Sequence, residues 1–145
     1  MANPIATRFE ELIAWQRSSE FLKWAYEVSE TGPMLRDLRF RTQWRDAACS
    51  APRNLAEGFV KFEPPEFARF TNIAKGSLAE LQNHIRQGQA LGYFTDEQFT
   101  HGWRLLGRAL RATSRLHAYL RSCGRKSRGR HPEDQAAPGN RDAPN

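Results

Sequence analysis

Four arginines are the side chains in this sequence whose type and spacing most directly suggest chemistry. Arg104, Arg108, Arg111 and Arg115 follow one another at steps of four, three and four. At 100° per residue they fall within about 60° of each other on a helix. The planar guanidinium fork grips phosphate oxygens in pairs, so such a row suits phosphate binding. A merely solvated or intersubunit face is the competing reading, although such a face usually mixes in Glu. The positive charge continues through Arg121, Arg125, Lys126, Arg128 and Arg130, and no Asp or Glu occurs between residues 98 and 132. Residues 1–97 carry 12 basic and 13 acidic side chains, so nearly all of the formal charge of +6 sits at one end. A near-neutral body with one basic end expects a polyanionic partner, nucleic acid first and an acidic protein surface second. The plainer alternative is solubility plus favourable interaction with a helix C-terminus.

Other candidate chemistry is weaker. Gln43, Ser50 and Glu57 recur at heptad spacing with Asn54 beside them. Partly dry amides and a carboxylate need partners, so a hydrogen-bond network through Ser77 or Glu80 is expected; a ligand or nucleotide site is the alternative. Glu80 and His84 share a helix face, but no second carboxylate–His pair completes a di-iron site. His101, His117 and His131 have no ligand spacing with Cys49 or Cys123, so no metal and no cofactor is expected. Without a Gly-rich phosphate loop, nucleophile elbow or Ser-His-Asp set, the expectation is a protein that is not an enzyme.

Four amphipathic segments must position these residues. The first runs from about 9 to 30, with a seam of Leu12, Trp15, Ser19, Leu22, Tyr26 and Ser29, a Thr7–Glu10 capping box before it and Gly32-Pro33 after it. A second apolar stripe, Ile13, Phe21, Trp24 and Val28, lies on its far side. Exposed together these residues would be sticky, which predicts an interface with another subunit; the alternative is that they are the core and the seam is rotated. The second segment runs from about 37 to 59 on Trp44, Ala48, Ala51 and Leu55, with a kink or break expected at Pro52. The third opens at Pro64-Pro65 on Phe67, Phe70, Ala74, Ser77, Leu81 and His84, and Gly92 ends it. The fourth begins with a Thr95–Gln98 capping box, on Phe99, Trp103, Leu106, Leu110, Thr113, His117 and Leu120. Together they predict an all-α, antiparallel up-down four-helix bundle over residues 1–122. Residues 123–145, poor in apolar side chains, read as a disordered basic tail.

The 145 residues suffice for one domain. No apolar run reaches the ~20 residues of a membrane span, and the start lacks a signal-peptide pattern. Two cysteines 74 positions apart exclude a disulfide framework and leave the cytoplasm as the expected location.

Three stretches resemble a known family: Phe9-Glu10-Glu11-Leu12-Ile13-Ala14-Trp15-Gln16, the run from Gln43-Trp44-Arg45 through Ser50-Ala51-Pro52-Arg53-Asn54-Leu55-Ala56-Glu57-Gly58, and Ala74-Lys75-Gly76-Ser77-Leu78-Ala79-Glu80-Leu81. They look like the bacterial four-helix-bundle proteins encoded within intervening sequences of 23S ribosomal RNA genes, over about residues 9–122. Asp46 departs from the pattern, which usually has a second basic residue after Arg45; this weakens a nucleic-acid role there. The resemblance implies a ring, typically a homopentamer, and a link to RNA. It also implies kinship in fold with the accessory protein of diversity-generating retroelements, which binds a reverse transcriptase and nucleic acid. Gln43, Arg45, Ser50, Asn54, Glu57, Ser77 and Glu80 are the polar residues of the matching motifs. RNA or DNA is thus the expected partner, with a reverse transcriptase as the alternative.

Overall fold

Two of the four helices start where a side chain offers a partner for a free N–H group. In the computed structural model, which describes residues 6–128 and side chains as far as Gly124, α1 spans Ile13–Ser29, α2 Leu38–Lys61, α3 Pro64–Ala90 and α4 Asp96–Arg128. The Asp37 carboxylate caps α2 by accepting from the Phe40 N–H at 3.0 Å, and its other oxygen accepts from the Tyr93 hydroxyl. Thr95 and Gln98 form the reciprocal box before α4 at 2.9 and 3.1 Å. Proline opens α3, where the missing N–H costs nothing. Gly32 and Gly92 take positive φ, 72° and 76°, in the connections after α1 and α3.

Four expectations about boundaries are corrected. A short 3-10 turn, Phe9–Glu11, precedes α1, so the first helix does not begin at 9. Thr7 pairs with Glu11 rather than Glu10, through its N–H at 2.8 Å and its hydroxyl at 3.2 Å, because that turn moves the carboxylate by one position. Of the kink or break expected at Pro52, the break does not occur: α2 is continuous through it, with Pro52 buried. The fourth helix passes residue 122 and continues to Arg128, so the stretch 123–128 is helix and not tail. The remainder of the expected disordered tail, 129–145, lies outside the described residues.

The helices alternate in direction, each packing against its chain neighbours, and α1 closes the square against α4. The seams of α2 and α3 point inward as the periodicity predicts, with Trp44, Leu55, Ala74 and Leu81 fully buried, whereas the α4 seam is rotated: Leu105 and Ala109 join Leu106, Thr113 and Leu120 in the core, and Phe99, Trp103, Leu110 and His117 are half-buried. Around Trp44 the rings of Phe21, Trp24, Phe40 and Phe94 pack with centroids 5.4–6.3 Å apart. The Trp44 indole N–H donates to the Ala25 carbonyl at 2.9 Å, so the buried polar atom is paired across α1 and α2. A second cluster, Phe67, Ala68 and Leu120 with Leu12, Phe59 and Leu116 against it, fills the other end.

The orientation of α1 overturns the interface expectation. Phe21, Trp24 and Val28 are core residues of the same chain, and only Ile13 of that stripe is exposed, at 57%. The helix is rotated relative to the expected seam: Trp15 and Leu22 are half-buried and Tyr26 lies at the surface. Small residues on facing positions decide this. Ala14, Ser18 and Ala25 let α1 approach, and Gly102 of α4 leaves its backbone bare where the Trp24 ring rests. Burying a large aromatic in this way contributes about 1.5–3 kcal/mol, more than Trp15 or Leu22 gains at a half-wet flank.

Candidate nucleic-acid interface

The inward face of α4 is Gly102, Leu105, Leu106, Ala109, Thr113 and Leu120, which turns the arginine row outward. Arg104, Arg111 and Arg115 are exposed, as is Arg121 lower on the helix. Arg104 reaches the His101 Nδ1 at 3.3 Å. Arg108 leans toward α1, where its guanidinium lies 3.7 Å from Glu20, a carboxylate already held by Arg17 at 3.0 Å. Among the described residues no carboxylate pairs with Arg104, Arg111, Arg115 or Arg121. The side chains of Arg125, Lys126 and Arg128, and all of Arg130, lie outside the described residues.

A second positive row, on α3, lies along its contact with α4. Arg86 stacks on the Trp103 ring at 4.5 Å. Further along, Lys75 of α3 and His117 of α4 are both half-buried, with Arg121 one turn beyond His117. Burial, then the positive charges of Lys75 and Arg121, hold the His117 imidazole below its ordinary pKa. Sequence reading placed His117 on the seam and missed the row, because it depends on the register of two helices. The absence of acidic residues from α4 after Glu97 was the visible half of the signal.

On the opposite side, the α2–α3 stripe divides. Asn54 is buried and its amide donates to the Ser50 carbonyl at 2.8 Å and hydroxyl at 3.1 Å. Ser50 and Ser77 hydroxyls lie 2.7 Å apart, and Ser77 donates to the Ile73 carbonyl at 3.1 Å. One directed chain of donors therefore ties α2 to α3. Gln43 and Glu57 are exposed and make no hydrogen bond or ion pair among the described residues. Glu80 pairs instead with His84 at 3.3 Å, and Arg45 turns to α1, donating to the Ser29 hydroxyl at 2.8 Å, lying over Tyr26 at 4.6 Å and approaching Glu30 at 3.6 Å. An open groove of about 380 Å³ beside this chain is lined by Gln43, Asp46, Ala47, Ser50, Ser77 and Glu80. Its two carboxylates, Asp46 and Glu80, repel phosphate.

The architecture and its one-sided charge define an up-and-down four-helix bundle with an exposed arginine face on α4. Residues 10–112 match the model of the 23S rRNA-intervening sequence protein family, and the chain belongs to that family. The match spans α1 to α3 and the first half of α4, ending before Arg115 and Arg121. No curated protein matches the chain. Among the described residues no helix is long and apolar enough to cross a membrane.

Proposed function

We propose that this protein is a non-enzymatic, ring-forming binder of nucleic acid, RNA in the first place, which contacts phosphates through the outer face of α4. The observation that carries the reading is the row Arg104, Arg111 and Arg115, exposed and without a carboxylate partner among the described residues, with Arg108 beside it. Unpaired guanidinium groups held on a rigid helix keep their full capacity for phosphate oxygens. Membership of the 23S rRNA-intervening sequence protein family supports the link to RNA and, through the family resemblance, a homopentamer. A ring would multiply the arginine rows and so the contacts available to one strand.

Four phosphate contacts on a single strand give a log–log salt slope near −2.8, or about a fifty-fold loss of affinity between 50 and 200 mM salt. The test is fluorescence anisotropy of the full chain with a labelled single-stranded RNA over that salt range. Replacing Arg104, Arg108, Arg111 and Arg115 together by Gln should weaken binding and flatten the slope at unchanged helix content, since Gln is nearly as good a helix former. Little preference among RNA sequences is expected, because phosphate contacts carry no base information. A wild type without salt-sensitive binding to RNA or DNA would sink the reading in favour of an acidic protein partner.

A further inference from the structure

We propose that the flank of α4 beside α3 is a base-stacking platform: a nucleobase of bound single-stranded RNA packs on the Arg86–Trp103 pair, and a neighbouring phosphate lies on Arg111 in the notch left by Gly107. This rests on the nucleic-acid reading above and deepens it, since it states which form of nucleic acid the arginine row takes.

The platform is built from two helices. On α4 the rings of Phe99 and Trp103, one turn apart, are stacked with centroids 5.8 Å apart and planes 16° from parallel. Both residues are half-buried, so part of this aromatic surface reaches solvent. From α3 the Arg86 guanidinium lies over the Trp103 ring, 4.5 Å from its centroid. Arg86 is exposed, and among the described residues no carboxylate pairs with it. The indole face attracts the guanidinium, which in turn offers its own flat surface to a further π-system. Unpaired bases stack on aromatic rings and on guanidinium planes alike. A cation-capped indole with no counter-ion therefore suits a base carried on a polyanion. Stacking accepts every base because each has a π-face, whereas the bases of a duplex are already stacked on one another.

Gly107 ties the platform to the arginine row. Trp103, Gly107 and Arg111 follow at steps of four on α4. Each lies about 40° round the helix from the last, so they lead from the α3 flank to the outer face. Glycine weakens a helix interior relative to alanine, and close approach of another group is a common reason for it. At Gly102 that group is the Trp24 ring. At Gly107 no core side chain fills the space: an added Cβ would meet only the head of Arg111, with its Nη1 3.2 Å away. A long helical side chain points back toward the N-terminus, which lays Arg111 in the notch, one turn from Trp103. A strand crossing this flank meets an aromatic surface and then a guanidinium.

The test uses the full chain at fixed salt and two labelled probes of equal length, a mixed-sequence single-stranded RNA and an abasic strand with the same phosphates. The base-bearing strand should bind the wild type more tightly by about 5- to 150-fold, the worth of one stacked base. In Trp103→Leu and in Arg86→Gln that ratio should fall toward one, and Arg86→Gln leaves the half-buried indole in place should Trp103→Leu fail to fold. The tryptophan emission that Trp103→Leu removes should be quenched in the wild type by the base-bearing strand and not by the abasic one. Gly107→Ala should raise Tm, because alanine is the better helix former, yet weaken the binding of both strands by displacing Arg111, a split that no loss of folding produces. Equal affinities for the two strands in the wild type, a ratio that survives in Arg86→Gln, or wild-type affinity in Gly107→Ala overturns the platform while leaving the salt-dependent binding intact. Absence of salt-sensitive binding in the wild type overturns both.

Discussion

Adding one methyl group at Gly102 should destabilise the bundle, and the same change at Gly76 should stabilise it. A Cβ on Gly102 would lie 2.1, 2.5 and 2.8 Å from the Cη2, Cζ3 and Cζ2 atoms of Trp24. Carbon atoms settle at about 3.5–4.0 Å, so the indole would have to retreat by roughly 1.5 Å. It has nowhere to go: Phe21, Trp44 and Phe94 surround it at centroid distances of 5.6, 6.0 and 6.1 Å. Overpacking of this kind costs about 1–3 kcal/mol, against which alanine returns about 1 kcal/mol of helix propensity. The net is a loss of up to about 2 kcal/mol, or a fall in Tm of up to roughly 8 °C for a chain of this size. At Gly76, inside α3, nothing lies within 4 Å of an added Cβ. Only the propensity gain of about 1 kcal/mol remains there, which raises Tm by about 3 °C. Thermal unfolding followed by far-UV circular dichroism reads both variants. If Gly102→Ala raised Tm as Gly76→Ala does, the Trp24 ring would not rest on α4, and the outward placement of Phe21, Trp24 and Val28 would return.

Two other perturbations test the capped and polar parts of the bundle. Asn54→Leu removes both donors to Ser50 and should cost about 1–3 kcal/mol in thermal unfolding while leaving RNA affinity unchanged; retained Tm with lost binding would make the stripe a site. The Tyr93 hydroxyl, then the Phe40 N–H, hold the Asp37 carboxyl below its ordinary pKa. That depressed value means a stability contribution present above the unfolded carboxylate pKa and lost as pH falls through the folded one. The Tm difference between wild type and Tyr93→Phe should therefore be constant at neutral pH and shrink below about pH 4; a difference that grows in acid refutes the assignment.

Periodicity placed the core face of α2 and α3, left that of α4 rotated by part of a turn, and was ambiguous for α1. On α2 and α3 the apolar residues form one stripe each, so the core face has no rival; on α4, Leu105 and Ala109 are buried where Trp103 and Leu110 were expected. On α1 two stripes compete, because Trp15, Leu22 and Tyr26 are as apolar as Phe21, Trp24 and Val28. What decides between them is the bare backbone of Gly102, far along the chain, which no local window on α1 contains. The candidate site divides in the same way. The arginine row was legible because all four residues lie on one helix, and Ser50–Ser77 because Ser50 sits on the flank of α2 beside α3. Arg45 lies five residues earlier, about 140° round the helix, so it turns to α1 instead of joining that chain. The Lys75–His117 approach requires the α3–α4 register, and nothing in either segment alone encodes it.

The contact between α1 and α4 also sets an order in time. The α2–α3 connection is only Phe62 and Glu63, so these helices find each other soon after both exist. The face of Trp24 that rests on Gly102 must wait for a residue made about 80 positions later, which at 5–20 residues per second is about 4–16 s on the ribosome. During that interval one side of the most aromatic part of the core is open to whatever the nascent chain meets.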